Sequence, residues 1–253
     1  MLEITNLSKR YGETVALDGA TVSFAAGSIH TIMGENGSGK STLVKLLSGI
    51  VIPDRGEIRV DGAPFSGRSP AAFQAHGFAT VFQEVLIAPD RTVTDNVLLG
   101  YDGIVQRKMP RGGRRDAARD ALALCTPLKV DLDAEAGDLP LATQQLVVLA
   151  RALVRKPRIL ILDEVTAALD FTDRETVFTL MERLAAEGCL ILFISHRMDE
   201  VMRLSSRITI LRSGKVVETV DRADATPELL LARMAPEILA ERAHEHAHGH
   251  AHG

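Results

Sequence analysis

Gly34-Glu35-Asn36-Gly37-Ser38-Gly39-Lys40-Ser41 is the stretch on which the reading of this chain turns. The spacing G-x-x-x-x-G-K-S lets glycines take positive φ, so that successive backbone N–H groups point inward and wrap an anion that a Cβ would exclude. The flanks agree. Ser28 to Met33 is a short apolar run suited to a buried strand, and Thr42 to Leu47 reads as the first turns of a helix. Strand, loop and helix in that order bring a helix N-terminus, with its partial positive charge, under a bound phosphate. On this reading Gly34, Glu35, Asn36, Gly37, Ser38, Gly39, Lys40, Ser41 and Thr42 cradle a nucleotide. Lys40 reaches the β and γ phosphates and the Ser41 hydroxyl ligates magnesium.

Upstream, residues 1 to 27 alternate apolar and polar side chains about a Tyr11-Gly12 turn, which predicts an antiparallel strand layer. Tyr11 is placed either to pack on a strand or to stack on an adenine ring. Downstream, Pro53 to Gly56 reads as a turn, Glu57 to Val60 as a strand and Asp61-Gly62 as a hairpin turn. A strand from Gly77 to Phe82 ends in Gln83; if it lies beside the cradle, the Gln83 side-chain oxygen reaches magnesium or an attacking water. Residues 85 to 156 read as a helical insert. Its helical periodicity from Thr94 to Thr126 is broken by Pro110, Gly112 and Gly113, and its last helix, from about Ala142, sets Leu146, Leu149, Ala150 and Leu153 on one buried face. The basic run Arg107, Lys108, Arg111, Arg114 and Arg115 reads as a solvated loop.

Beyond Pro157, Arg158 to Leu162 forms a continuous apolar strand that delivers Asp163 and Glu164 at its carboxyl end, where open α/β sheets place ligands. Beside the cradle, Asp163 would hold magnesium through water and Glu164 would take a proton from the attacking water or orient it. Thr172 to Glu175 reads as a capping box, Val177, Leu180, Met181 and Leu184 as a helical stripe, and Gly188 as the C-cap. Cys189 to Ile194 is a second buried strand ending in Ser195-His196, parallel to the first by the strand–helix–strand order. That puts the His196 imidazole within reach of a γ phosphate. A hairpin from Arg207 to Val220 follows, then a short helix capped by Thr226 with Pro227 at its first position, and another beyond Pro236. His244 to Gly253 has no packing pattern and is expected to be disordered, as a purification tag or a weak metal-binding appendage.

Composition excludes several classes. The net charge of −4 over 253 residues leaves no basic excess to neutralise a nucleic-acid backbone. Cys125 and Cys189, the only cysteines, cannot build a disulfide scaffold and suit a reducing compartment. No signal peptide opens the chain, and no apolar stretch approaches the ~18 residues of a membrane span.

Taken together, these motifs resemble the ATP-binding subunit of an ABC transporter over roughly residues 1 to 242, followed by a tail at 243 to 253. The resemblance rests on Tyr11, the Walker A loop (Gly34 to Ser41), the Q-loop (Gln83), the Walker B strand (Ile159 to Glu164), the D-loop (Ala167 to Asp170) and the switch His196. It implies an α/β P-loop NTPase with a RecA-like mixed sheet, an N-terminal antiparallel β layer and a helical subdomain at about 85 to 156. ATP and Mg2+ would be its ligands, with Ser41, Gln83 and Asp163 on the metal and Tyr11 on the adenine. Lys40, Gln83, Glu164 and His196 would be catalytic. More narrowly, Phe82-Gln83-Glu84, Thr92 to Asn96, Thr166 to Leu169 and Ile194 to Val201 are similar to the ribose/xylose/galactose-type sugar importers, whose ATPases usually carry two fused halves; this chain has the length of one and looks most like a first half. The resemblance implies a peripheral position on the cytoplasmic face of the inner membrane, an integral-membrane permease, a second ATPase subunit in a homodimer or heterodimer, and a solute-binding protein acting indirectly.

Departures from the family pattern open a second expectation. The signature L-S-G-G-Q falls at Leu139-Pro140-Leu141-Ala142-Thr143, where the family's trans-acting serine and glycines are replaced; Asp170 belongs to the same implied interface. Pro140 has neither hydroxyl nor N–H, and Leu141 and Ala142 add side chains where glycine permits close approach. An energising ATPase, or an ATP-dependent switch with weak hydrolysis, both fit this pattern.

Overall fold

The computed structural model describes residues 1–101 and 111–235. Two sheets carry the architecture. The chain opens with β1 (Leu2–Tyr11) and β2 (Thr14–Phe24), then runs through β3 (Ile29–Met33), α1 (Lys40–Leu47), β4 (Arg55–Val60), β5 (Ala63–Pro64), α2 (Pro70–Ala75) and β6 (Phe78–Val81). A helical stretch follows with α3 (Val93–Val97), α4 (Arg111–Ala123) and α5 (Leu141–Leu153), and the chain returns through β7 (Ile159–Asp163), α6 (Phe171–Ala186), β8 (Leu190–Ile194) and α7 (Met198–Leu204). It closes with β9 (Arg207–Arg212), β10 (Lys215–Asp221) and α8 (Pro227–Met234). The first sheet is antiparallel, in the order β2-β1-β4-β5; the second is mixed, in the order β10-β9-β3-β8-β7-β6, with only β10 antiparallel to its neighbour.

The apolar runs of β3, β7 and β8 are buried along their whole length because both faces of the mixed sheet are covered. Period-two alternation sorts their side chains. Ile159, Ile161, Leu190, Leu192 and Ile194 pack toward α1 and the antiparallel layer, where Leu2, Ile4, Leu17 and Phe24 lie. Leu160, Leu162, Ile191 and Phe193 pack the other way, against Leu146, Leu149, Val177 and Met181 of α5 and α6. Each such side chain contributes on the order of 1.5–3 kcal/mol by leaving water. The Asp61-Gly62 hairpin forms as expected, with φ 52° and 78° at its two residues, the twist that antiparallel strands favour.

Several local expectations change. The helical run is interrupted, with α3 ending at Val97 and α4 starting at Arg111 directly after Pro110, and Gly112 and Gly113 fall in the first turn of α4. Arg114 is buried and paired with Asp95 at 2.9 Å, and Ala118, Ala121 and Leu122 further along the helix are buried in the core, so tertiary contacts hold a first turn that contains two glycines. The loop expected across Arg111–Arg115 is therefore helix, while Arg107 and Lys108 fall outside the described residues. Leu146, Leu149, Ala150 and Leu153 of α5 are buried as expected, and Gln145, Val147 and Val148 are buried as well, because α3, α4 and β6 pack around the helix. The cap of α6 is Asp170, whose carboxylate accepts the Asp173 N–H at 2.9 Å, so Thr172 sits within the helix instead of starting it. Strand β6 does not adjoin β3; β8 and β7 lie between them. Thr226 caps α8 as expected, and the helix beyond Pro236 and the histidine-rich tail lie outside the described residues.

Candidate functional site

The cradle forms where β3 hands over to α1. A Cβ on Gly34 would come within 2.3 Å of the Leu211 carbonyl, and Gly39 adopts φ 107° with a Cβ position 2.6 Å from the Ala16 carbonyl, so only glycine fits either place. The β9–β10 turn props the loop from outside through Gly214 N–H to the Ser38 carbonyl at 3.0 Å. Helix α1 has Gly39 at its N-cap, no side-chain cap and no acid in its first turn. Its leading N–H groups thus lack the partners a capped helix would give them, which is the arrangement an anion completes. The buried Ser38 hydroxyl has no hydrogen-bond partner either. A phosphate chain fits the N–H groups of the loop and of the helix start.

Lys40 Nζ folds back over the loop to the carbonyls of Gly34 at 2.7 Å and Glu35 at 2.9 Å. Burial lowers its pKa, against the opposing pull of Glu164, Asp163 and Glu35. Asp163 ends β7 and is buried. Burial, and secondarily the charge of Glu164, push its carboxyl up to about 6, with Lys40 and Lys45 pulling the other way. A cation beside Asp163 would reverse that shift, so the ionised form is costly until one arrives.

Glu164 leaves the strand in the left-handed region at φ 50°, its N–H donating to the Ile194 carbonyl at 3.0 Å. That turn sends its carboxylate between two neighbours. Gln83 Nε2 donates to Oε2 at 3.3 Å, and His196 Nδ1 lies 3.2 Å from Oε1. Three residues from the ends of three strands, β6, β7 and β8, thus meet on one carboxyl group. The parallel order β8-β7-β6 makes this possible by ending all three strands on the same edge.

A cleft of about 730 Å³ joins these groups: Gly34 to Gly37, Gly39 to Thr42, Gln83, Asp163, Glu164 and His196 all line it. Ser38 is buried and does not itself line it. Tyr11 does not line it either; its ring sits 5.8 Å from Lys9 Nζ. Thr14, Val15 and Ala16 of β2 form that wall instead, with Met234 of α8. Sequence reading missed these four, since an alternating strand and a short helix carry no mark of what they face. Leu139 to Thr143 and Asp170 lie outside the cleft. Pro140 is the N-cap of α5 without a side-chain hydrogen bond, and Leu141 is 59% exposed. Among the described residues no cluster of three or more His, Cys, Asp or Glu could hold a metal, so a cation here would rely on Asp163, hydroxyl and phosphate oxygens.

Strand, glycine loop and helix at the carboxyl end of an internal strand of a mixed sheet define a P-loop α/β fold. The sequence profile described as ABC transporter matches residues 17–167, and the chain belongs to that family. The chain is 40% identical over 234 residues to the ribose import ATP-binding protein RbsA 1 of Rhizobium johnstonii, covering 92% of this chain and 46% of that one. It is 42% identical over 221 residues to the ribose import ATP-binding protein RbsA 1 of Mesorhizobium japonicum, covering 86% and 42%. The chain thus spans less than half the length of these relatives. Among solved structures, the dimeric post-hydrolysis state of the ATP-binding cassette MJ0796 bound to ADP and Pi superposes with a TM-score of 0.80 at 26% identity, over 88% of this chain and 99% of that one. The ADP conformation of the cassette MJ1267 gives 0.78 at 25% identity, over 95% and 97%. The expected P-loop fold, with its mixed sheet, antiparallel layer and helices, agrees with these likenesses.

Proposed function

We propose that this chain binds and hydrolyses ATP to energise import of a sugar through a membrane permease. The observation that carries the reading is the single carboxyl group of Glu164, held by Gln83 and His196 at the mouth of a phosphate-shaped cradle. Relatives named for ribose import support a pentose or related sugar as cargo.

The cradle N–H groups and Lys40 bind the phosphates, and Lys40 exchanges its two loop carbonyls for phosphate oxygens. Magnesium would be held by the Ser41 hydroxyl and Asp163, with Gln83 at the cleft mouth, and would neutralise charge on the phosphate oxygens. Glu164 accepts the proton of the attacking water or orients it, while His196 and Gln83 hold its carboxyl group in place. Val15 on the β2 wall offers the apolar contact for the base, and stacking by Tyr11 would require its ring to turn from Lys9. No helix among the described residues is long and apolar enough to cross a membrane. In keeping with relatives named for ribose import, the chain would act peripherally, on the cytoplasmic face of the inner membrane, against an integral permease fed by a solute-binding protein.

Leu139 to Thr143 offers a poor trans-acting signature, because Pro140 carries no donor and Leu141 projects. A second ATPase subunit with an intact signature, in a heterodimer, suits this chain better than a copy of itself. The test is nucleotide binding and Mg-ATP turnover, alone and with the co-purified permease over a panel of sugars. Lys40→Ala should abolish binding of a fluorescent ATP analogue; unchanged affinity would remove the site assignment.

A further inference from the structure

Glu200 of α7 is fully buried and does not line the cleft. Its Oε2 accepts two hydrogen bonds, from the Thr166 hydroxyl at 2.9 Å and the Ser195 hydroxyl at 2.8 Å, and both of those residues are buried as well. Oε1 makes no hydrogen bond and lies 3.5 Å from Arg197 Nε. Ser195 Oγ also accepts the Arg197 backbone N–H at 3.1 Å. Burying a carboxyl group is costly even when it is paired, and an apolar side chain of similar volume would often stabilise such a place as well. The neighbouring Val201 and Leu204 are buried apolar residues on the same helix. Stability alone therefore does not account for Glu200.

Its two donors do. Thr166 lies two residues beyond Glu164, and Ser195 immediately precedes His196. Glu164 occupies a left-handed backbone conformation that a side chain adopts only when its surroundings hold it there. We propose that Glu200 is a positioning residue: it draws the Thr166 and Ser195 hydroxyls onto one oxygen beneath the cleft and so fixes the spacing of Glu164 from His196. The geometric claim stands on these contacts. Its consequence for turnover rests on the ATPase reading above.

Proton–nitrogen correlation spectra of the nucleotide-free full chain test the geometry without turnover, with the His196 imidazole signal assigned by its loss in His196→Ala. The His196 imidazole and Glu164 amide signals should move in Glu200→Gln and in Thr166→Val, and stay in place in Thr166→Ser, which keeps the hydroxyl. Amide signals of β4, which does not line the cleft, should not move. In Mg-ATP turnover, Glu200→Gln should lower kcat about tenfold with KM within about twofold, as a small misplacement of a reacting group does. In a His196→Ala background the same substitution should cost less than about twofold, because changes acting through one contact are not additive. Unmoved signals, or equal losses in both backgrounds, overturn the proposal. Absence of turnover in the unsubstituted chain would count against the ATPase reading, while the spectra would still decide the clamp. Should Glu200→Gln fail to fold, Thr166→Val against Thr166→Ser decides it.

Discussion

Replacing Asp163 with asparagine should make the nucleotide-free protein more stable, by an amount that depends on pH. The folded chain holds the Asp163 carboxyl at about 6 against an ordinary value of 3.8. Between those values the folded state keeps a proton that the unfolded chain has lost, so stability falls as pH rises through the window, and the full cost is present above it. At about 1.4 kcal/mol per pKa unit the ionised form costs the fold about 3 kcal/mol at pH 8, and roughly half of that at pH 5. Asparagine is nearly isosteric with the protonated acid and never ionises. Asp163→Asn should therefore gain up to about 3 kcal/mol at pH 8, worth roughly 6–12 °C in Tm for a chain of this size, and clearly less at pH 5. Urea denaturation at the two pH values measures it directly. A variant less stable than the parent, or a gain equal at both pH values, would refute burial as the cause of the Asp163 shift. The same substitution should abolish Mg-ATP turnover, which would place a destabilised group at the site for its chemistry rather than for the fold.

His30 supplies a control with the opposite sign. Burial against Phe24 and Thr209 holds its imidazole down to about 4, so the unfolded chain takes up a proton between about 6.5 and 4 that the folded chain refuses, and stability drops as pH falls through that window; His30→Gln should flatten this acid limb in the same urea series. Glu164→Gln should leave ATP binding within about threefold while cutting kcat by at least about a hundredfold, read by nucleotide fluorescence and phosphate release. Asp170→Ala should lower the stability of the isolated chain by about 1 kcal/mol through loss of the α6 cap, measured by urea denaturation. Pro140→Ser with Ala142→Gly should raise turnover of the chain alone several-fold if its own signature limits the rate; an unchanged rate would mean that another chain supplies that element.

Much of the fold was legible because its signals are local. The cradle announces itself through glycines that no other residue can replace, and the β7 and β8 runs through unbroken apolar stretches that only a doubly covered sheet can bury. Capping was less legible. Thr172 to Glu175 fits a capping pattern, yet Asp170 takes the position, because two acceptors within one turn compete and the approach of the chain decides between them. The position of the break was legible but not its far end: the helix restarts at Arg111 and takes Gly112 and Gly113 into its first turn, where the buried Arg114–Asp95 pair anchors it.

The sequence by itself determined that a glycine loop joins a buried strand to a helix, that Asp163 and Glu164 stand at a strand end, and that His196 stands at the next one. Those are consequences of residue type and short-range spacing. The tertiary structure decided which groups meet. Gln83, Glu164 and His196 converge on one carboxyl group because β6, β7 and β8 run parallel and end on one edge. Tyr11 is left beside Lys9 while Val15 faces the cleft, because the register of β1 against β2 sets which residues of the hairpin reach the loop. Contacts such as Gln83 to Glu164, 81 residues apart, are set by strand order and sheet twist, and no window of sequence short enough to read as a motif contains either.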